Sequence, residues 1–170
     1  CTKETYQTVK DCSRNQGISV GPDTCYLGLR GLRTMSLRME AQYDSAKKIA
    51  KWLNNHEVIR EVFYPPVSFS KYHDNWKKTF TGGGSLMSMV LNNDYTNDAL
   101  ASFLDDMSLF GMGYSYGGYE SLLTPCRLQK QRISDVNDFD QTMLRMYIGL
   151  EDVDDLIQDL DLGFQRLINN

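Results

Sequence analysis

Histidine is nearly missing from this chain, with His56 and His73 the only two in 170 residues. The four cysteines, Cys1, Cys12, Cys25 and Cys126, are scattered and form no C-x-x-C pair. No zinc-site spacing is therefore present, and no metal is expected. Idle or buried thiols suit a reducing compartment, so a cytoplasmic location is expected. No apolar run approaches the ~18 residues that a membrane span needs. Positive charge is not in excess either: the net charge is −4, which argues against nucleic acid and anionic membrane as partners. A dinucleotide fingerprint is missing as well. The glycines after Leu109-Phe110 run G-x-G-x-x-x-G at Gly111, Gly113 and Gly117, where G-x-G-x-x-G leading into a helix would be required. What remains is a length suited to one domain with a full core, or to one domain plus a piece of another.

The chain also lacks an initial methionine. Opening on Cys1 fits a processed lipoprotein or a piece of a longer polypeptide, and the early Tyr6, Val9 and Ile18 favour the piece, because a lipid anchor usually leads into a polar tether.

The most unusual stretch is Leu109–Leu122. It places Gly111, Gly113, Gly117 and Gly118 among Phe110, Tyr114, Tyr116 and Tyr119. Each glycine in regular structure costs about 0.5–1 kcal/mol relative to alanine, so four together point to an irregular backbone that bends tightly or lets something approach. Two readings stand: a tight connection whose tyrosines cover a core edge, or a loop that lines a ligand.

The elements around it follow from pattern. Pro22 and Asp23 open a helix, and Leu29, Leu32, Met35, Met39, Tyr43, Ala46, Ala50 and Leu53 recur at intervals of three and four. One helix is predicted over 22–54, roughly 50 Å long at 1.5 Å per residue, with a bend at Gly28 and Gly31. Arg30, Arg33 and Arg38 are expected on its solvated face. Strands are predicted at Val58–Tyr64, Ser85–Leu91 and Thr142–Ile148. Residues 67–81, with His73 and Trp76, show no period and are expected to form a surface connection, as is the polar stretch 126–141. Thr96 is an N-cap for a helix carrying Leu100, Phe103, Leu104 and Met107. Glu151, Asp152, Asp154 and Asp155 load the start of a last helix whose apolar stripe is Val153, Leu156, Ile157, Leu160, Phe164, Leu167 and Ile168.

Arg145 stands out because it sits in mid-strand between Met143 and Tyr147. A desolvated guanidinium needs an anion, and its planar fork suits a carboxylate bidentately. The alternatives are a strand face that meets solvent, or an internal bridge to an aspartate such as Asp138.

Tyr114-Ser115-Tyr116-Gly117-Gly118-Tyr119-Glu120-Ser121-Leu122, followed by Leu144-Arg145-Met146-Tyr147-Ile148-Gly149-Leu150-Glu151-Asp152, resembles the C-terminal half of the pyridoxal-phosphate enzymes of cysteine and methionine metabolism, the cystathionine β-lyases in particular. Arg30-Gly31-Leu32-Arg33-Thr34 is similar to the start of that family's long interdomain helix. Trp76-Lys77-Lys78 and Phe80-Thr81-Gly82 resemble its β-lyase spelling.

The resemblance implies an α/β (α+β small domain) fold: an antiparallel sheet of about four to five strands with helices on the outer side, preceded by the long helix. It implies a remnant of the large cofactor domain at 1–21, the interdomain helix at 22–54 and a C-terminal small domain at 55–170. It implies a soluble homotetramer, a dimer of dimers, that uses pyridoxal 5'-phosphate to cleave cystathionine to homocysteine, pyruvate and ammonia in methionine biosynthesis and transsulfuration. Arg145 matches the residue that holds the substrate α-carboxylate, Ser115 the serine beside it, and Tyr114 a tyrosine common in β-lyases. Tyr116 departs, standing where β-lyases tend to carry tryptophan and γ-lyases leucine. The cofactor-anchoring lysine of the family lies in a Ser-x-Thr-Lys setting that Lys3, between Thr2 and Glu4, does not match. The missing N-terminal domain is thus an implied partner, and the 170 residues alone are expected to be inactive. A γ-lyase or γ-synthase of the same family, or a truncated paralogue acting as an interaction domain, are the alternatives.

Overall fold

The computed structural model describes residues 1–126 and 142–169. It divides into two compact units, Cys1–Leu37 and Arg38–Asn170. In the first, α1 (Lys3–Asn15) opens with a capping box in which Thr2 and Thr5 bond each other's backbone, and α2 (Pro22–Arg33) carries Pro22 in its first turn. Neither helix buries a residue; Tyr26, Leu29 and Leu32 are exposed.

The single helix expected over 22–54 is two helices. Thr34, with φ −112° and ψ 6°, ends α2, and α3 (Met35–Asn54) follows. The glycines do not break the helix where they stand. The backbone N–H of Thr34 instead turns back to the carbonyls of Gly31 and Leu32, and its hydroxyl reaches Gly31 as well, the local competition that a threonine side chain offers a helix. The apolar stripe is accordingly buried only in its second part, at Ala46, Ala50 and Leu53 together with Ile49, while Leu29, Leu32, Met35 and Met39 remain exposed. Arg30 and Arg33 are exposed as expected, whereas Arg38 is half-buried.

Among the described residues, the second unit is built on a four-stranded antiparallel sheet of β1 (Ile59–Phe63), β2 (Leu86–Leu91), β3 (Leu122–Cys126) and β4 (Met143–Tyr147), in the order β1-β2-β4-β3. Strand β3 was hidden in the sequence by Pro125, which is tolerated because β3 lies at the sheet edge. A short helix, α4 (His73–Thr79), occupies part of 67–81; it buries no side chain and so leaves no apolar period to read. Helices α5 (Asn97–Asp105), capped by the Thr96 hydroxyl, and α6 (Val153–Asn169) complete the unit. The stretch 127–141, with Asp138, lies outside the described residues.

Side chains alternate across the sheet, so each strand offers one row to the core. Met87, Met89 and Leu91 of β2 and Leu144 and Met146 of β4 pack with Ile49 and Leu53 of α3, Phe103 of α5, and Leu156, Leu160 and Phe164 of α6. Arg166 ties the last two helices together, donating from Nε to Ser102 O (3.0 Å) and from Nη2 to Asp106 O (3.0 Å) at the end of α5, where cations are favoured. Both histidines serve the scaffold: His56 Nδ1 accepts from the Val58 N–H, and His73 Nδ1 lies 3.0 Å from Pro65 O.

Tyr64, 1% exposed, donates its hydroxyl to Gly84 O at 2.6 Å. Burial pushes its phenol well above the ordinary value, with Tyr43 and Asp44 adding to the effect. A raised folded-state pKa means stability that is complete below the unfolded value and is lost as pH rises past it. The free energy of unfolding should therefore fall above pH about 10, and Tyr64→Phe should remove part of that slope in chemical denaturation at graded pH.

Candidate functional site

The sheet has a second row of side chains facing away from the helical core. Cross-strand register places Ser88, Arg145 and Thr124 in one line across β2, β4 and β3, with Leu86, Tyr147 and Leu122 beside it. Arg145 is half-buried there. Its Nη1 donates to the carbonyl of Tyr114 at 2.8 Å, and its guanidinium carbon lies 5.7 Å from the centroid of the Tyr116 ring, within cation–π range. The glycine-tyrosine stretch therefore covers this face, and Arg145 meets it at Tyr114 and Tyr116. Ser115 lies between those two in the chain and is exposed, as are the Tyr114 and Tyr116 side chains. Cys126 shares this face; burial pushes its thiol upward, partly opposed by the Arg145 charge.

The loop is fixed at both feet. At its start, the Asp159 carboxylate of α6 accepts from the backbone N–H groups of Ser108 (2.9 Å), Leu109 (2.8 Å) and Phe110 (3.3 Å). Gly111 then bridges Leu122 in parallel, through Gly111 N–H to Ser121 O (3.0 Å) and Leu123 N–H to Gly111 O (2.9 Å). At its end, Glu151 accepts from the Ser121 N–H (2.7 Å) and hydroxyl (2.8 Å), and Ser121 Oγ in turn accepts from the Gly149 N–H (2.8 Å). Between the feet, Gly117 turns the chain at φ +88°, a left-handed conformation that glycine adopts without strain. Asp159→Asn keeps the shape but replaces an accepting oxygen with a donor that faces backbone N–H groups. It should lower unfolding stability by about 2–3 kcal/mol in urea titration, the range for unpaired buried groups.

Glu151 does not act as a helix-start charge; it turns back to Ser121, and the start of α6 is capped by Asp152, whose Oδ1 accepts from the Asp154 N–H at 2.9 Å. Sequence reasoning missed Gln42, Ser121, Glu151 and Asp159, because each acts on a residue distant in the chain and none breaks the local pattern enough to be read. The one available signal was an aspartate, Asp159, flanked in α6 by the buried Leu156 and Leu160.

Lys47 and Lys71 fit a cofactor-anchoring role poorly. Such a lysine must lose its proton near neutrality. Lys47 and Lys71 are instead held more firmly protonated, chiefly by side-chain hydrogen bonds to Asp44 and Glu61 respectively. Among the described residues no group of three metal-ligating side chains is present, and no helix is long and apolar enough to cross a membrane. Trp76, Phe80 and Gly82, part of the family-like spelling, line an apolar cavity of about 230 Å³ with Tyr64, Pro66 and Leu86.

On the sheet face away from the helices, a half-buried guanidinium thus meets a glycine-tyrosine loop that is pinned at both feet. The family model for Cys/Met metabolism PLP-dependent enzymes matches residues 1–165, and the chain belongs to that family. It is 42% identical to cystathionine beta-lyase MetC of Escherichia coli (strain K12), over 99% of this chain and 43% of that protein. It is 36% identical to an L-alanine/L-glutamate racemase of Wolbachia pipientis wMel, over 96% of this chain and 41% of that protein. Its fold is similar to a solved cystathionine gamma synthase from Xanthomonas oryzae pv. oryzae in complex with aminoacrylate and cysteine, with a TM-score of 0.81, 27% identity, and coverage of 99% of this chain and 44% of that one. The chain thus spans less than half the length of these proteins.

Proposed function

We propose that this chain is the C-terminal, substrate-carboxylate-binding portion of a pyridoxal-phosphate-dependent carbon–sulfur β-lyase that cleaves cystathionine to homocysteine, pyruvate and ammonia. The observation that carries the reading is Arg145, half-buried on β4, tied to the Tyr114 carbonyl and overlaid by the Tyr116 ring. Pyridoxal 5'-phosphate, when bound, supplies the electron sink for labilising bonds at the substrate Cα. In this reading its lysine and phosphate cradle come from the remainder of the protein, which the comparison lengths leave room for. The residues of this chain bind and orient. Arg145 grips the α-carboxylate, the Tyr114 carbonyl restrains the guanidinium, the Tyr116 ring shields one side of it from water, and the Ser115 hydroxyl bonds the substrate beside it. The exposed Tyr26, Leu29 and Leu32 of the first unit support a role in packing against the rest of the polypeptide, in a cytoplasmic dimer of dimers. The 170 residues alone are inactive in this reading.

A γ-acting family member is the second reading, because Tyr116 matches neither the tryptophan usual in β-lyases nor the leucine usual in γ-lyases. Product analysis on the full-length enzyme with L-cystathionine tests both. Homocysteine with pyruvate marks β cleavage, and cysteine with a four-carbon keto acid marks γ cleavage. Failure to release any keto acid, with racemisation of alanine or glutamate in its place, would sink the lyase assignment.

A further inference from the structure

Gln42 is an amide buried on the inner side of α3, 6% exposed, on the helix that also buries Ala46, Ile49, Ala50 and Leu53. A buried amide is costly unless it is bonded. Its partner lies 76 residues away, where Nε2 donates to the carbonyl of Gly118 at 2.8 Å. The same carbonyl receives a second donor, the hydroxyl of Tyr147, at 3.1 Å. Tyr147 is 5% exposed and stands two residues after Arg145 on the same face of β4.

The loop crown from Tyr114 to Gly118 is therefore pinned at both ends by neighbouring side chains of one strand, Arg145 on the Tyr114 carbonyl and Tyr147 on the Gly118 carbonyl. Gln42 adds the third point from α3. Ser115, Tyr116 and Gly117 hang between the pins, and the left-handed turn at Gly117 adjoins the pinned carbonyl. Arg145 is held by the crown as much as it holds it. If the Gly118 end moves, the Tyr114 carbonyl moves, and the guanidinium loses the partner that aims it.

We infer that Gln42 and Tyr147 are positioning residues for substrate binding: by donating jointly to the Gly118 carbonyl, they set the crown and through it the orientation of the Arg145 fork. The inference rests on the reading of Arg145 as the carboxylate clamp. It has a specific energetic signature. A carbonyl with two donors keeps one when either is removed, whereas losing both frees the Gly118 end of the crown from β4 and from α3 together. The two side chains should therefore be coupled, each masking the loss of the other.

The test uses the cofactor-loaded full-length enzyme with Gln42→Leu, Tyr147→Phe and the double variant, and Gln42→Met where Gln42→Leu does not fold. Each single change should raise KM for cystathionine about 2–3-fold and the double change about 30-fold, more than the product of the two, with kcat within about twofold throughout. Amide hydrogen exchange across 114–119 should quicken about tenfold or more in the double variant and little in either single one. A double effect no larger than the product, or unchanged exchange across 114–119, overturns the inference. A wild-type enzyme that releases no keto acid counts against the proposed function, while the exchange measurement still reads the latch.

Discussion

Arg145→Ala in the full-length enzyme should raise KM for cystathionine by about 100-fold or more, because each hydrogen bond from a charged donor contributes roughly 1.5–3 kcal/mol and a carboxylate takes two from a guanidinium fork. The effect belongs mainly in KM. The α-carboxylate keeps its charge from bound substrate to transition state, so the clamp holds both about equally, and uniform binding shows in KM. Arg145→Lys should recover only part of the loss. An ammonium is a point charge without the planar fork, and it cannot hold the Tyr114 carbonyl and a bidentate carboxylate in the present geometry. The Ala variant should also loosen the loop crown, since the Tyr114 carbonyl loses its donor. Steady-state kinetics over a wide range of substrate concentrations separates the two parameters; an unchanged KM would remove Arg145 from the site.

Gly149→Ala should be the most damaging single-atom addition near the site. A Cβ there would collide with the Tyr119 carbonyl oxygen and Glu151 Oε2, and would stand 2.6 Å from the Glu120 carbonyl carbon. Relief by a side-chain shift is blocked, because Glu151 is held by two bonds to Ser121 and the Tyr119 carbonyl accepts from the Leu150 N–H at 2.8 Å. Loss of a flexible glycine from the unfolded chain returns only about 0.4–1 kcal/mol, whereas forced backbone movement and broken buried bonds cost about 3 kcal/mol or more. The variant should unfold at markedly lower urea and lose the Ser121–Glu151 foot of the loop. Stability within about 0.5 kcal/mol of the parent chain would show that this junction is slack.

Much of the fold was readable because its helices carry strong periods and its strands are short apolar runs between turn residues. Strand β1 is a short β-branched and aromatic run ended by Pro65-Pro66, β2 an apolar run after three glycines, and β4 a strand with Leu144 and Met146 on one face; Thr96 announces α5, and the Leu156–Leu160–Phe164–Leu167 stripe announces α6. What escaped was decided by single local bonds or by position in the sheet. Thr34 interrupts a stripe that continues across it without a gap, so periodicity could not show the break. Pro125 reads as a turn until β3 is known to be an edge. The site divides in the same way. Arg145 was visible because a cation in mid-strand violates the local pattern, and the loop was visible because four glycines do. The partners that give the loop its shape, Gln42, Glu151 and Asp159, are ordinary polar residues of helices or helix starts, and their meaning lies in contacts made across 76, 30 and about 50 residues. Family resemblance proposed roles for Arg145, Ser115, Tyr114 and Tyr116; it included Glu151 in a motif without giving it a role, and it did not include Gln42 or Asp159.

The most direct measurement compares the affinity of the full-length enzyme for L-cystathionine with that for its analogue lacking the α-carboxylate, in the parent and in Arg145→Ala. The parent should prefer the acid by about 100-fold or more, and the variant should bind both alike. A preference that survives the loss of Arg145 would place the carboxylate on another residue and contradict the account.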